Sequence, residues 1–305
     1  MKIAHISDLH LCSSFKRNNI AKTKQLLKFH MDSGFDHLVI TGDISDNTEE
    51  KDWILLKNML KSFGIYHRDK VTIVIGNHDI YGGVQTAIDI LNFPKRCLET
   101  DYYSKIKKFI LTFRELHEGV VYSFPNIYPF TKIVKDHAFV TVNTIDYYAR
   151  FTNPFASNGR VYSTDYANLK HHLTSPDLID KKIVVLAHHH FYKNNCESTS
   201  SYSSIWNSIE KYTMKLRGKK KLIKLFANNN VKLVLHGHSH QIKQYLRKDI
   251  LFVNAGGGID NMLPDKCTAI LIDTDFSAPI VEIKDINLKE NSPKLEEEKF
   301  ILTAV

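Results

Sequence analysis

Short apolar runs alternate with longer amphipathic stretches along most of the chain. Residues 3–6, 37–41, 71–75, 137–143, 183–187 and 231–235 have the length and apolar density of buried strands. Apolar positions three and four apart predict helices over 20–33, 48–63, 87–93, 101–117, 164–173 and 205–228. Pro94 is expected to end the third of these, because proline removes a donor and clashes with the preceding turn. Arg217-Gly218 interrupts the last one. From residue 250 onward the predicted elements are short strands, at 250–254, 268–273 and 279–283. Residues 192–204 form a Ser- and Asn-rich loop, and the stretch after Asn287 mixes Lys and Glu without apolar period, as a solvated arm does. The alternation of strand and helix predicts an α/β fold.

The polar residues are not scattered over this pattern. The first strand runs into Ser7-Asp8-Leu9-His10, the second into Gly42-Asp43, and the third into Gly76-Asn77-His78-Asp79. The strand at 183–187 runs into His188-His189-His190, and that at 231–235 into His236-Gly237-His238-Ser239-His240. In open α/β sheets the ligand crevice lies beyond the carboxyl ends of the strands, so five such clusters converge on one edge.

Asp, His and Asn without Cys suit ions such as Mn, Fe or Zn. A spacing of two, as in Asp8-x-His10 and His238-x-His240, puts both side chains on one side of an extended chain. Asp8, His10, Asp43, Asn77, one His of the 188–190 trio, His238 and His240 make seven donors, too many for one tetrahedral ion. They suffice for two ions if a carboxylate bridges, and Asp43 stands alone at its strand end. Two divalent ions, two carboxylates and a bridging hydroxide leave a net charge of about +1, an attractive seat for a phosphate oxyanion. His78 is then left over to protonate a leaving oxygen, with Asp79 beside it to orient its surroundings.

The rest of the composition narrows the setting. The longest strongly apolar run, Ile183-Val184-Val185-Leu186-Ala187, falls far short of the roughly twenty residues of a membrane span. Met1 to Ile6 reads as a strand rather than a leader. Cys12, Cys97, Cys196 and Cys267 lie far apart with no C-x-x-C pair, as free thiols of a reducing compartment do. A cytoplasmic protein is expected. A net charge of +8, from 41 Lys and Arg against 33 Asp and Glu, favours an anionic partner. The basic residues of 215–224 read as a solvated helix face, with a phosphate-backbone patch as the alternative.

The series D-x-H, G-D, G-N-H-D, H and G-H-x-H, complete and in order, resembles the calcineurin-like metallophosphoesterases. The resemblance implies a four-layer α/β/β/α sandwich with two central mixed β-sheets, as one domain over 1–286 with an insertion at about 95–134 and a tail at 287–305. It implies two divalent metal ions, the first on Asp8, His10, Asp43 and His240. The second takes Asp43, Asn77, a His of the trio and His238, with His78 as the catalytic acid. Counting back from Phe191, which stands where the family has Pro, selects His189 from the trio, with His188 as the alternative. The wording around Ser7–Leu11 and Thr41–Asp46 is similar to the bacterial cyclic-nucleotide phosphodiesterase branch, which implies a small phosphorylated substrate such as a cyclic nucleotide. Two other classes share the motifs: a nuclease of the DNA-repair type and a non-enzymatic scaffold on the same fold. Leu9, where the nucleases usually carry Trp, stands against the first, and the full donor set against the second.

Overall fold

The computed structural model describes residues 1–84, 86–192, 214–261, 263–276 and 278–288. The chain opens with β1 (Lys2–Ile6), α1 (Arg17–Ser33), β2 (His37–Thr41), α2 (Glu50–Ser62), β3 (Val71–Val74) and the short α3 (Asn77–Tyr81). It continues through α4 (Ala87–Glu99), α5 (Tyr102–Thr112), β4 (Val121–Tyr122), β5 (Phe130–Val134), β6 (His137–Thr141), β7 (Gly159–Arg160) and α6 (Ser163–Leu173). Then come β8 (Lys182–Leu186), β9 (Leu216–Arg217), α7 (Lys219–Asn228) and β10 (Leu233–His236). The last four strands are β11 (Ile242–Arg247), β12 (Ile250–Ala255), β13 (Lys266–Asp273) and β14 (Ile280–Asn287).

Two mixed sheets carry the fold. The first has the order β14-β13-β1-β2-β3, and the second β11-β12-β10-β8-β6-β5-β4. Strands β1, β2 and β3 are mutually parallel, as are β6, β8, β10 and β12, while β13 and β5 join antiparallel. Side-chain alternation along the second sheet sets the layers. Phe139, Val184, Leu186, Leu233, Leu235 and Val253 face the first sheet and share its core. Their neighbours Ala138, Val140, Val185, Val234 and Phe252 face outward, against Leu169 and Leu173 of α6 and Leu222 and Phe226 of α7. On the far side of the first sheet, Leu26 and Leu27 of α1 and Trp53, Leu56 and Leu60 of α2 are buried in the same core. The result is the expected α/β/β/α sandwich, with strands apolar on both faces because both faces are covered.

The elements depart from expectation in two places. Pro94 lies inside α4 rather than ending the helix. It sits on the exposed face beside Leu91, which is 80% exposed, so water can satisfy the carbonyl it leaves without a donor. The start of α4 is fixed by a capping box in which Thr86 and Asp89 exchange side-chain and backbone bonds. Within the stretch 95–134, β5 pairs along its full length with β6 inside the second sheet. Strand β11 was not anticipated; it is an edge strand rich in Lys, Gln and Arg, with no apolar alternation to reveal it. Residues 193–204 of the expected loop, the helix start at 205–213, Cys196 and the tail from 289 lie outside the described residues.

The seam between the sheets also holds polar groups. The His37 ring stacks on Phe139 at 4.4 Å, and Lys132 of β5, 1% exposed, donates to the Val71 carbonyl at 2.6 Å. Burial pushes the Lys132 ammonium down to about 7. Between about pH 7 and the free-lysine value of about 10.4 the unfolded chain therefore binds more protons at this residue than the folded one, and stability rises with pH across that window. Below it the charged form is a burden on the fold. Lys132→Met should thus raise Tm at pH 6 and lose that advantage by pH 10, in thermal unfolding followed by circular dichroism. An equal Tm change at both pH values would mean that Lys132 acts through packing alone.

Candidate metal centre

Parallel pairing aligns the strand ends that carry the polar clusters. Ile6 lies beside Ile40, Thr41 beside Val74, and Leu235 beside Leu186. The carboxyl edges of the two sheets then meet, and His188 Nδ1 donates to the Thr41 carbonyl across the seam at 2.8 Å. At this edge the backbone turns back on itself. Asp8, His10, Asp43, His238 and His240 all have left-handed φ, between 44° and 76°. Such conformations are uncommon outside glycine and cost roughly 1–2 kcal/mol each. Bonds between the turns hold them: the N–H of Asp8 donates to the Gly42 carbonyl, and that of His10 to the Asp43 carbonyl. Glycines permit the approach, since a Cβ on Gly76 would collide with Asp43 and one on Gly237 with Ser7 and Asp8.

Two donor clusters adjoin Asp43: Asp8, His10 and His240 form one, and Asp43, His188 and His238 the other, while His10 also groups with Asp46 and His78. His188 Nε2 lies 3.2 Å from Asp43 Oδ2, 3.0 Å from Asn77 Oδ1 and 3.1 Å from His238 Nδ1. The same Asp43 Oδ2 is 3.8 Å from His10 Nε2, so one carboxylate oxygen faces both clusters. His10 Nε2 is buried without a hydrogen-bond partner, as a donor atom reserved for an ion would be. Burial works against the charge of Asp43, but the imidazoles of His188 and His78 outweigh it and hold the carboxyl well below the usual range. Burial likewise opposes charge on His10, which the Asp46 hydrogen bond and Asp43 hold up to about 9.

A calcineurin-like phosphoesterase family model matches residues 1–242. The chain belongs to that family. This phosphoesterase shares its fold with a dimetal phosphatase from Danio rerio, at 10% identity and TM-score 0.60, over 94% of this chain and 98% of that one. A purple acid phosphatase from yellow lupin (Lupinus luteus) seeds is similar at 12% identity and TM-score 0.55, over 96% of this chain and 52% of that one. No curated protein sequence matches it. The dinuclear metal centre typical of the family fits the two clusters and their shared carboxylate. Among the described residues no helix is long and apolar enough to cross a membrane.

Within the histidine trio the phosphoesterase differs from expectation. His188, not His189, stands beside Asp43, Asn77 and His238. The reason is strand alternation: Val184 and Leu186 face the first sheet, so His188 continues on that side and His189 takes the other, with its ring 4.2 Å from that of His238. His189 Nδ1 contacts Thr144 Oγ1 at 2.9 Å, and its ring packs against Gly159.

Asp79, expected to orient the surroundings of His78, engages the backbone of the neighbouring loops. Its carboxylate accepts from the N–H groups of Ile44, Ser45 and Gly76 and from Trp53 Nε1, at 2.9–3.1 Å. Fully buried and saturated, it fixes the loops that carry Asp43 and Asn77 rather than reaching reacting atoms. His78 Nδ1 lies 3.1 Å from the Asp46 carbonyl, which fixes a proton on Nδ1 and leaves Nε2 free. Its ring stands edge-on to His10 at 4.6 Å.

Three site residues had gone unread. Asp46 Oδ1 receives His10 Nδ1 at 3.0 Å and Lys16 Nζ at 3.1 Å, and so orients His10 as a carboxylate behind a metal-binding imidazole does. Asp260 lies 2.9 Å from Lys16 Nζ and 3.6 Å from His240 Nδ1. Asp46 could have been found, three residues past Asp43 in the same turn; Lys16 and Asp260 carry no motif.

Metal content separates the two histidines. The protein should hold two ions per chain by elemental analysis, Asp43→Asn should deplete both, and His188→Ala should lose one. His189→Ala should keep two; the reverse pattern in the histidine variants would return the ligand role to His189.

Proposed function

We propose that the protein hydrolyses a phosphodiester, with a small 3′,5′-cyclic nucleotide as the leading substrate. One ion is assigned to Asp8, His10, Asp43 and His240, and the other to Asp43, Asn77, His188 and His238. When bound, such a pair supplies a water activated near neutral pH and a clamp on the phosphoryl oxygens. The observation that carries the diester reading is the placement of His78. Its Nδ1 is engaged by the Asp46 carbonyl and its backbone N–H donates to Asp43 Oδ1 at 2.8 Å, so the ring is tied to the donor clusters with Nε2 free to carry a proton. An alkoxide leaving from a ribose ester needs that proton, whereas an aryl oxide does not. Asp79 and Trp53 keep the supporting loops in place, and Asp46 holds both His10 and His78 in register.

His78→Asn should lose about 10²–10⁴-fold in kcat/KM on a cyclic nucleotide with manganese present, and far less on bis(p-nitrophenyl) phosphate. Equal losses on both substrates would assign His78 to metal or phosphate positioning. Single-stranded DNA cleavage without turnover of any cyclic nucleotide would replace this reading with a nuclease.

A further inference from the structure

A cleft of about 210 Å³ lies between α5 and the loop after β6, lined largely by tyrosines and by no residue of the donor clusters. Sites that enclose a whole drug-sized ligand occupy roughly 300–1,000 Å³, so this one suits a single flat ring system. Tyr147 is its hub. The ring centroid of Tyr147 is 4.6 Å from that of Tyr102 and 4.9 Å from that of Tyr162. Its hydroxyl is 2.6 Å from that of Tyr103, and the Tyr162 hydroxyl donates to Asp146. Hydroxyl bonds of this kind pin the rings by their tips. Tyr103 nonetheless remains 64% exposed.

Packing of α5 does not account for the arrangement. Tyr102, Ile106 and Phe109 form the buried stripe of that helix, and Tyr102 already bonds the Ile145 carbonyl and Asn143. Tyr103 and Lys107 stand four residues apart on an adjacent, exposed face, and both line the cleft. Lys107 has no ion-pair partner among the described residues. An exposed aromatic ring with a free cation one turn away is the combination that engages a flat base attached to an anion.

The cleft also borders the donor loops. His78 and Tyr81 share α3, about 4.5 Å apart in helical rise, and the Tyr81 ring centroid is 6.2 Å from that of Tyr102. Tyr128, a wall of the cleft, accepts from the N–H of Ile75 just before Gly76-Asn77. Tyr102 and Tyr128 thus join the wall of the cleft to the elements that carry His78 and Asn77.

We infer that this cleft binds the nucleobase of the substrate, with Tyr103 and Tyr147 providing the stacking surface and Lys107 facing the ligand's anionic part. The inference rests on the phosphodiesterase reading for the reaction but not for the binding of a base. Adenosine, which has no phosphate and needs no metal, is the probe. Calorimetry in EDTA should show adenosine binding and no binding of ribose. Tyr103→Ala should weaken it about tenfold, within the range of one base–aromatic stack, and Tyr103→Phe should retain it. Lys107→Ala should leave adenosine binding unchanged. In manganese, Tyr103→Ala should raise KM for cyclic AMP by a similar factor with kcat unchanged. No adenosine binding, or equal binding by Tyr103→Ala, overturns the inference. If glycerophosphodiesters are hydrolysed in that case, the phosphodiesterase reading survives alone; adenosine binding without hydrolysis of any diester leaves the base site and removes the reaction.

Discussion

The structure depends on burying charge at the seam where the carboxyl edges of two sheets meet. Asp8, Asp43, Asp46 and Asp79 are at most 1% exposed there, and His10, His188 and His238 are buried with them. An uncompensated charge in such a place costs several kcal/mol, so the backbone is bent to compensate it. Asp8 accepts from the His238 N–H, Asp43 from the His78 N–H, and Asp79 from three backbone N–H groups. The left-handed turns at the donor positions follow from this requirement, because an extended chain would carry those side chains away from one another. The glycines between them follow in turn, as the residues over which two turns can close.

The same constraint gives the site its stiffness. Donors that are held by backbone bonds from a neighbouring loop cannot relax one at a time, and a site assembled this way meets its ions with the geometry already set. Function thus draws on the sandwich through hydrogen bonds across the seam, His188 to the Thr41 carbonyl among them.

Much of this was legible in the chain because strand ends announce themselves: an apolar run followed by Asp, His or Gly marks both the element and the residues it delivers. The alternation that separates Val184 and Leu186 from Val185 was equally legible and puts His188 on the seam side; counting from Phe191 relied instead on a motif position that this chain does not keep. Asp260 could not have been read. It reaches Lys16 and His240 only through the packing of the segment between β12 and β13, and no spacing encodes that. Strand β5 was hidden for another reason. Both of its faces carry a buried polar residue, Lys132 towards the Val71 carbonyl at the inter-sheet seam and Thr131 towards His172 of α6, and these disguise the strand. Pro94 shows the converse, a strong local signal overruled because solvent is available to the carbonyl it strands.

Strand β1, which delivers Asp8 and His10, is flanked by β2 on one side and by β13 on the other, with Lys2 opposite Asp273. One of its two hydrogen-bonding edges therefore has no partner until β13, far later in the chain, has left the ribosome. Vectorial synthesis makes β1, β2 and β3 before β13, as a three-stranded sheet with an open margin next to the turn that carries Asp8 and His10. An open strand margin is a template for pairing with other chains, so the nascent protein is at its most adhesive while its catalytic edge is half assembled. The late strand β13 is in this sense a seal: it closes the margin and ends the interval in which the first two ligands are presented on an unfinished sheet.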